Sequence, residues 1–259
     1  MTPSVRSSAA TASDNPVLEA GARLGYVASG VVHLLIAWVA VQLAWFGSGG
    51  DADQTGALQA LGDTGLGALP LWLAVAGFGL LGVWQVVEAV LQRDAATRAK
   101  AAGKGVAYLA LTWTTVAVIL GTGSSSSEQS ADLTATVMSK PFGVVLIAGL
   151  GLAVVGIGGY HVVKGWRRSF LEDLRQHPPR QVVHAGRFGY IAKGLALVVV
   201  GGLFIQAAVT HDAQEAQCLD GALRAVLDAP FGPVLLTLVA LGLAAFGAYS
   251  IARSRYAKV

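Results

Sequence analysis

A few ionisable and amide side chains interrupt long apolar stretches, and these are the residues whose chemistry could matter. His33 lies inside the apolar block 26–46, and Gln85 and Glu88 sit about one turn apart near the end of block 69–91. His161 and Lys164 repeat that spacing at the end of 141–163, while Lys104 and Lys193 stand at the starts of 105–121 and 188–209. An ionisable group in such surroundings is costly to keep and counts as a functional candidate by default. Glu88 meeting Lys104, Lys164 or Lys193 would bind an anionic solute or gate a pathway. The same residues would equally serve as an ion pair at the headgroup boundary, with the lysines snorkelling. His33 is about ten residues into helix one, or roughly 13–15 Å deep at a helical rise of 1.5 Å. It reads either as part of such a site or as a hydrogen-bonded packing histidine.

Signatures of catalysis are missing. No HExxH, GxSxG or Walker loop occurs, and the acidic residues are scattered without metal-ligand spacing. Cys218 is the sole cysteine, so neither an intrachain disulfide nor a CxxC-type metal site can form. His33 and His161 fall at different depths for a shared haem. The expectation is a non-enzymatic chain with no cofactor and no metal.

The elements that carry these residues follow from composition. The chain has 259 residues, 54% of them hydrophobic and 13% charged, with a mean hydropathy of +0.60. A soluble domain carries about 25% charged residues, so this chain has too few to cover a water-facing surface. The apolar residues fall in six blocks, 26–46, 69–91, 105–121, 141–163, 188–209 and 230–251. A spanning helix needs about 20 such residues, whereas a β-barrel strand alternates over roughly ten. The fold class is therefore all-α: a polytopic membrane protein of six transmembrane helices. The first block follows a Ser/Ala/Thr-rich polar segment and is too long for the apolar core of a cleavable signal. It is expected to act as an uncleaved targeting helix behind a disordered tail.

Charge placement supplies the topology. Of the 18 Lys and Arg residues, only Lys140 and Arg224 lie in the connectors after the first, third and fifth blocks. Those connectors are acidic, with Asp51, Asp53, Asp63, Glu128, Asp132, Asp212, Glu215, Asp220 and Asp228. The positive-inside rule then puts both termini in the cytoplasm of a bacterium, across its inner (plasma) membrane. Basic residues so placed read as topology signals and lipid-headgroup contacts, with no nucleic-acid partner implied.

Internal repetition is the strongest organising feature. Arg23-Leu-Gly-Tyr-Val-Ala-Ser-Gly30 and Arg187-Phe-Gly-Tyr-Ile-Ala-Lys-Gly194 open two units, and Arg98 to Gly105 keeps the same Arg–Gly separation in a third. Leu58 to Gly67, Thr134 to Gly143 and Leu223 to Gly232 align in turn. Counting onward, Gly82, Gly158 and Gly247 coincide, as do Trp84, Tyr160 and Tyr249. The candidate residues then become equivalents: Gln85, His161 and Ser250; Glu88, Lys164 and Arg253; Ser29, Lys104 and Lys193; His33, Tyr108 and Leu197. The expected organisation is a tail (1–20), repeat 1 (21–93), repeat 2 (94–168), a cytoplasmic linker (169–183), and repeat 3 with the C-terminal tail (184–259). Each repeat contributes two helices, so all three insert in the same orientation, as parallel rather than inverted repeats. Packed about a common axis they would have pseudo-threefold symmetry.

The Gly-Tyr-x-Ala-x-Gly openers (Gly25 to Gly30, Gly189 to Gly194), the Pro-Phe-Gly triplets (Pro141 to Gly143, Pro230 to Gly232) and the Gly-x-Tyr endings near Tyr160 and Tyr249 carry a resemblance. Together they resemble a family of uncharacterised bacterial membrane proteins, largely actinobacterial, built on a two-helix domain of unknown function that is often present three times. The resemblance covers Gly21 to about Tyr256; repeat 1 lacks Pro-Phe-Gly and repeat 2 lacks the Gly-Tyr pair. It implies a fold and no activity.

Short helices are expected around Leu58–Leu61, Leu133–Val137 and Leu223–Leu227, with Ser124–Ser127 a flexible loop. Trp166, Phe170 and Leu174, four residues apart, predict an interfacial helix that Pro178 and Pro179 stop. The functional expectation is a protein that organises partners or lipids. The alternative is a small-solute or ion transporter or channel using polar residues between the repeats. The lipid bilayer is the one partner the residues name, protein partners are left unspecified, and homo-oligomerisation stays open.

Overall fold

The structure, a computed structural model, describes residues 16–47, 52–62, 68–92, 94–122, 126–174 and 178–256. Among the described residues there are nine α-helices and no strand. They are α1 (Pro16–Phe46), α2 (Gln54–Gly62), α3 (Ala68–Leu91), α4 (Ala95–Ile119) and α5 (Ser126–Met138). There follow α6 (Gly143–Trp166), α7 (Arg180–Thr210), α8 (Leu219–Leu227) and α9 (Gly232–Tyr256). Six of them (α1, α3, α4, α6, α7 and α9) are long and apolar enough to cross a membrane, with spans of 21 to 31 residues. Their outward faces carry large apolar side chains, such as Trp38 (62% exposed) on α1 and Trp113 (74%) on α4. Exposed apolar surface on this scale is what lipid, rather than water, solvates.

The short helices α2, α5 and α8 each precede the second spanning helix of a repeat, at the expected positions, and all lie at the end opposite the termini. Ser126 and Ser127 open α5 instead of extending a loop; Ser124 and Ser125 lie outside the described residues. An acid in the first turn, Glu128, complements the helix dipole there. The Ser126 hydroxyl is also held by Thr55 Oγ1 at 2.6 Å. At the other end α1 already begins at Pro16, inside the segment expected to be tail, and residues 1–15 lie outside those described.

The closest helix pairs run between repeats. α3 pairs with α4, α6 with α7, and α9 returns to α1, so the last repeat closes onto the first. Within repeats, α7 packs on α9 and α1 more loosely on α3, whereas α4 and α6 make no extended contact. The ring is thus open on the side of repeat 2. One pattern of residues makes all three crossings. A Cβ on Gly30 would stand 2.7 Å from the Gly247 carbonyl oxygen, and one on Gly194 would stand 2.6 Å from that of Gly158. In the third crossing Gly82 faces Leu109 and Gly105 faces Val86, the same offsets of four residues that bring Val198 and Val162 together with Gly158 and Gly194. Small residues permit close backbone approach where lipid supplies no hydrophobic drive to associate.

The Pro-Phe-Gly triplets have a backbone reason as well. Phe142 and Phe231 adopt left-handed conformations, with φ of 63° each, between a short helix and the spanning helix that follows. A Cβ on Gly143 or Gly232 would collide with the carbonyl of Val137 or Leu227, so glycine is required. The two phenyl rings, 82% and 84% exposed, project outward like interfacial anchors.

The Trp166–Leu174 stripe does not form an interfacial helix. α6 ends at Trp166, Arg168 takes a left-handed conformation (φ 58°), and Ser169–Asp173 is a 3-10 turn. Phe170 is fully buried and Leu174 nearly so, because the turn folds under the bundle rather than along its surface. Phe170 lies 5.4 Å from the Tyr190 ring and 5.2 Å from that of Tyr249, and Gly186 leaves room for it. Pro179 then precedes the first residue of α7.

Candidate functional site

At the loop end, the three repeats are tied by hydrogen bonds in a closed circuit. The Ala52 amide donates to Asp220 Oδ1 at 2.8 Å, joining repeats 1 and 3. Thr55 and Ser126 share a hydrogen bond between repeats 1 and 2, and the Cys218 amide donates to Ser127 Oγ at 3.4 Å between repeats 3 and 2. Asp53 sits in this cap, 2% exposed, with the Gly56 amide donating to its Oδ1 at 2.9 Å and its Oδ2 buried without a partner. Burial pushes the Asp53 carboxyl above its ordinary pKa, opposed in part by the Gly56 amide that donates to it and reinforced by nearby Asp220. Burial likewise pushes the Cys218 thiol up.

A cavity of about 260 Å³ reaches from Asp53, Ser126 and Cys218 to His33 and Lys193 in the spanning region. His33 on α1 and Lys193 on α7 meet there, Nε2 to Nζ at 3.3 Å. The Ser29 carbonyl oxygen is 2.7 Å from His33 Nδ1. Phe246 of α9 completes the contact: its ring centroid is 4.7 Å from that of His33 and 4.3 Å from Lys193 Nζ.

A second cavity, about 410 Å³, opens towards the terminal end and is lined chiefly by polar groups, among them Tyr26, Gln85, Lys104, Lys164, Asp173 and Arg253. Side chains from all three repeats and from the 3-10 turn converge on it. Asp173 Oδ2 lies 2.7 Å from Lys164 Nζ and 3.5 Å from an Arg253 guanidinium nitrogen. Arg253 also stacks over the Tyr26 ring at 4.6 Å and donates to Tyr190 Oη at 3.4 Å. Arg253 Nε and Gln85 Oε1 are buried without hydrogen-bond partners. Tyr190, Phe246, Tyr249 and Phe170 form an aromatic cluster between the two cavities, with Tyr190 and Phe246 edge to face at 5.3 Å.

The candidate residues therefore divide into two sets. His33 and Lys193 meet at the inner cavity; Gln85, Lys104 and Lys164 share the outer one. His161 stacks on Tyr190 at 5.8 Å, its Nδ1 2.8 Å from the Ile157 carbonyl oxygen, and is not among the lining residues of either. Glu88 is half-buried, and the carboxylate that meets Lys164 is Asp173. Asp173 carries no signal in the sequence because it lies in the linker, outside any apolar block. Arg253 was visible as the repeat equivalent of Glu88 and Lys164. Asp53 looked like any other acid of a polar loop, and only the meeting of three loops buries it. Among the described residues no group of three His, Cys, Asp or Glu side chains is placed to hold a metal ion.

Three stretches of the chain, residues 24–92, 99–168 and 188–257, match the family model described as Domain of Unknown Function (DUF1206). Each stretch holds one pair of spanning helices. A curated relative, described as uncharacterized protein YxxB of Bacillus subtilis (strain 168), is 28% identical over 256 residues, covering 93% of this chain and 92% of its own length. No solved structure matches.

Proposed function

The chain belongs to the DUF1206 family, and on that premise we propose that it is a non-enzymatic protein of the bacterial plasma membrane that handles a small solute or ion along the axis between its repeats. Both termini face the cytoplasm in this reading. The support for that orientation is the asymmetry of Lys and Arg, of which only Lys140 and Arg224 fall at the loop end. The observation that carries the functional reading is the nature of the interior. A purely organising role calls for a dry, glycine-packed centre. Here the glycine crossings lie between adjacent helices, while two cavities holding polar groups flank the aromatic cluster. Intramembrane polar groups beside cavities are the usual furniture of a solute path. Tyr190 and Phe246 would be its closed gate, with His33 and Lys193 on one side and Lys164 and Arg253 on the other.

Reconstitution into liposomes with a panel of ions and small solutes tests this reading. Flux above that of protein-free vesicles, altered in Lys193→Met and in Arg253→Gln, is expected. Equal flux with and without protein across the panel would retire the pathway and leave the organising of partners or lipids as the role.

A further inference from the structure

We propose that the cavity at the terminal end binds a compact oxyanion, a phosphate or carboxylate group, and that the Asp173 carboxylate stands in for it when no anion is present. The inference specifies the ligand class for the axial path described above, and it can fail separately from that path.

Charge balance makes the first argument. Lys104, Lys164 and Arg253 reach this cavity, and Asp173 is the one carboxylate among its lining residues. Positive charges held in partly desolvated surroundings repel one another strongly, and an anion is the natural remedy. Geometry makes the second. Lys164 and Arg253 converge on a single oxygen of Asp173, at 2.7 and 3.5 Å. Two cations from different repeats aimed at one oxygen is the arrangement that grips a free phosphate or carboxylate. Unused bonding capacity makes the third. Buried polar groups nearly always have partners, yet Arg253 Nε and the Gln85 amide oxygen have none. Rotation of the Gln85 amide would turn its NH2 group to the same place, giving the site a second spare donor.

Asp173 is built to give way. Its turn is pinned by buried Phe170 and Leu174, while its own side chain remains 33% exposed and free to swing outward. A tethered carboxylate competes with a free anion at high effective concentration, so it weakens the apparent affinity without any change in the cations. The open side of the ring, between α4 and α6, leaves Lys104 and Lys164 within reach of a lipid headgroup as well as of solution.

The test is calorimetric titration of the purified full-length protein with inorganic phosphate and with acetate, at constant ionic strength. Wild-type protein is expected to bind at least one of them saturably, Asp173→Asn to bind it at least fivefold more tightly, and Lys164→Gln and Arg253→Gln each about tenfold more weakly, as expected for loss of a charge-assisted hydrogen bond. A saturable rise in the melting temperature of wild-type protein with phosphate, absent with chloride, provides a readout that needs no variant. No saturable binding by either wild-type or Asp173→Asn protein overturns the site, and equal affinity in the two overturns the stand-in role of Asp173. Nanodiscs of phosphatidylglycerol or phosphatidylcholine separate the two sources of the oxyanion. Competition by the anionic lipid alone identifies the headgroup, and its absence identifies a soluble anion. Anion binding without flux would retire the axial path while this site stands, whereas flux indifferent to Asp173→Asn and to phosphate would retire this site alone.

Discussion

His33 Nε2 lies 3.3 Å from Lys193 Nζ, and this contact determines which imidazole nitrogen carries the hydrogen. Nδ1 faces the Ser29 carbonyl oxygen, which can only accept, so Nδ1 is the donor and Nε2 accepts from the lysine ammonium. The histidine thus solvates a charge inside the bundle, helped by the face of Phe246. His33→Ala is expected to lower stability by about 2 kcal/mol, since it leaves the ammonium with one partner fewer. Lys193→Met removes the charge itself and is expected to cost less. Unfolding of both variants in detergent checks the order; a Lys193→Met cost equal to or above that of His33→Ala would contradict it.

The glycine crossings give a matched pair of substitutions. A Cβ on Gly194 would press to 2.6 Å from the Gly158 carbonyl oxygen, and the backbone cannot yield without separating α6 from α7. Gly194→Ala is expected to cost about 1–3 kcal/mol, the usual range for overpacking. A Cβ on Gly156, on the same helix as Gly158, would meet nothing within 4 Å. Gly156→Ala is expected to be neutral or slightly stabilising. Similar melting temperatures for the two variants would remove the crossing from the account.

Asp53 predicts a pH dependence with a definite sign. Burial raises its folded-state pKa above the ordinary value of 3.8, so the folded protein holds this proton more tightly than the unfolded chain. Its contribution to stability is complete below that ordinary value and is lost as pH rises through the raised one. Asp53→Asn keeps an acceptor for the Gly56 amide and removes the charge. The variant is expected to melt higher than wild type at neutral pH, with the gap narrowing as the pH falls towards 4. A gap that widens on acidification would reverse the sign and refute the assignment.

Phe170 is the pin of the 3-10 turn. It is fully buried against Tyr190 and Tyr249, and Phe170→Ala is expected to cost about 3–5 kcal/mol for a truncated core aromatic. The loss should release Asp173 from Lys164, so protease cleavage within residues 169–174 is expected to accelerate in the variant. Unchanged proteolysis there would show that the turn is held by other contacts.

Orientation is open to labelling with an impermeant thiol reagent. Cys218 is a poor reporter, because it is half-buried in the cap and its thiol pKa is raised by burial. In a Cys218→Ala background, exposed positions serve better: Asp132→Cys at the loop end and Arg255→Cys at the terminal end. Asp132→Cys is expected to label in intact spheroplasts and Arg255→Cys only after lysis. The opposite pattern would place the termini outside.

Repeat equivalence makes much of the candidate site legible in the sequence. It ranked Glu88, Lys164 and Arg253 as one position seen three times, and two of the three do meet at the outer cavity. The pairing of Gly158 with Gly194 was half legible, since both glycines stood out as repeated positions without any sign that they touch. Trp166, Phe170 and Leu174 misled because a four-residue spacing says which residues share a face if a helix forms there. The left-handed Arg168 stops the helix first, and nothing in local periodicity reports that.

The amino-acid sequence alone is enough to establish the solvent, the number of crossings, the threefold repetition and the segregation of charge. Each of these is a property of composition or of spacing along the chain, and lipid enforces it segment by segment because every backbone amide must be satisfied within its own helix. It takes the folded chain to show that helices pair across repeat boundaries, that the ring is open at repeat 2, that Asp53 is buried and that Asp173 meets Lys164. Those outcomes depend on which side chains from distant segments are brought within a few ångströms. That is settled by packing between helices, and no single helix contains the information.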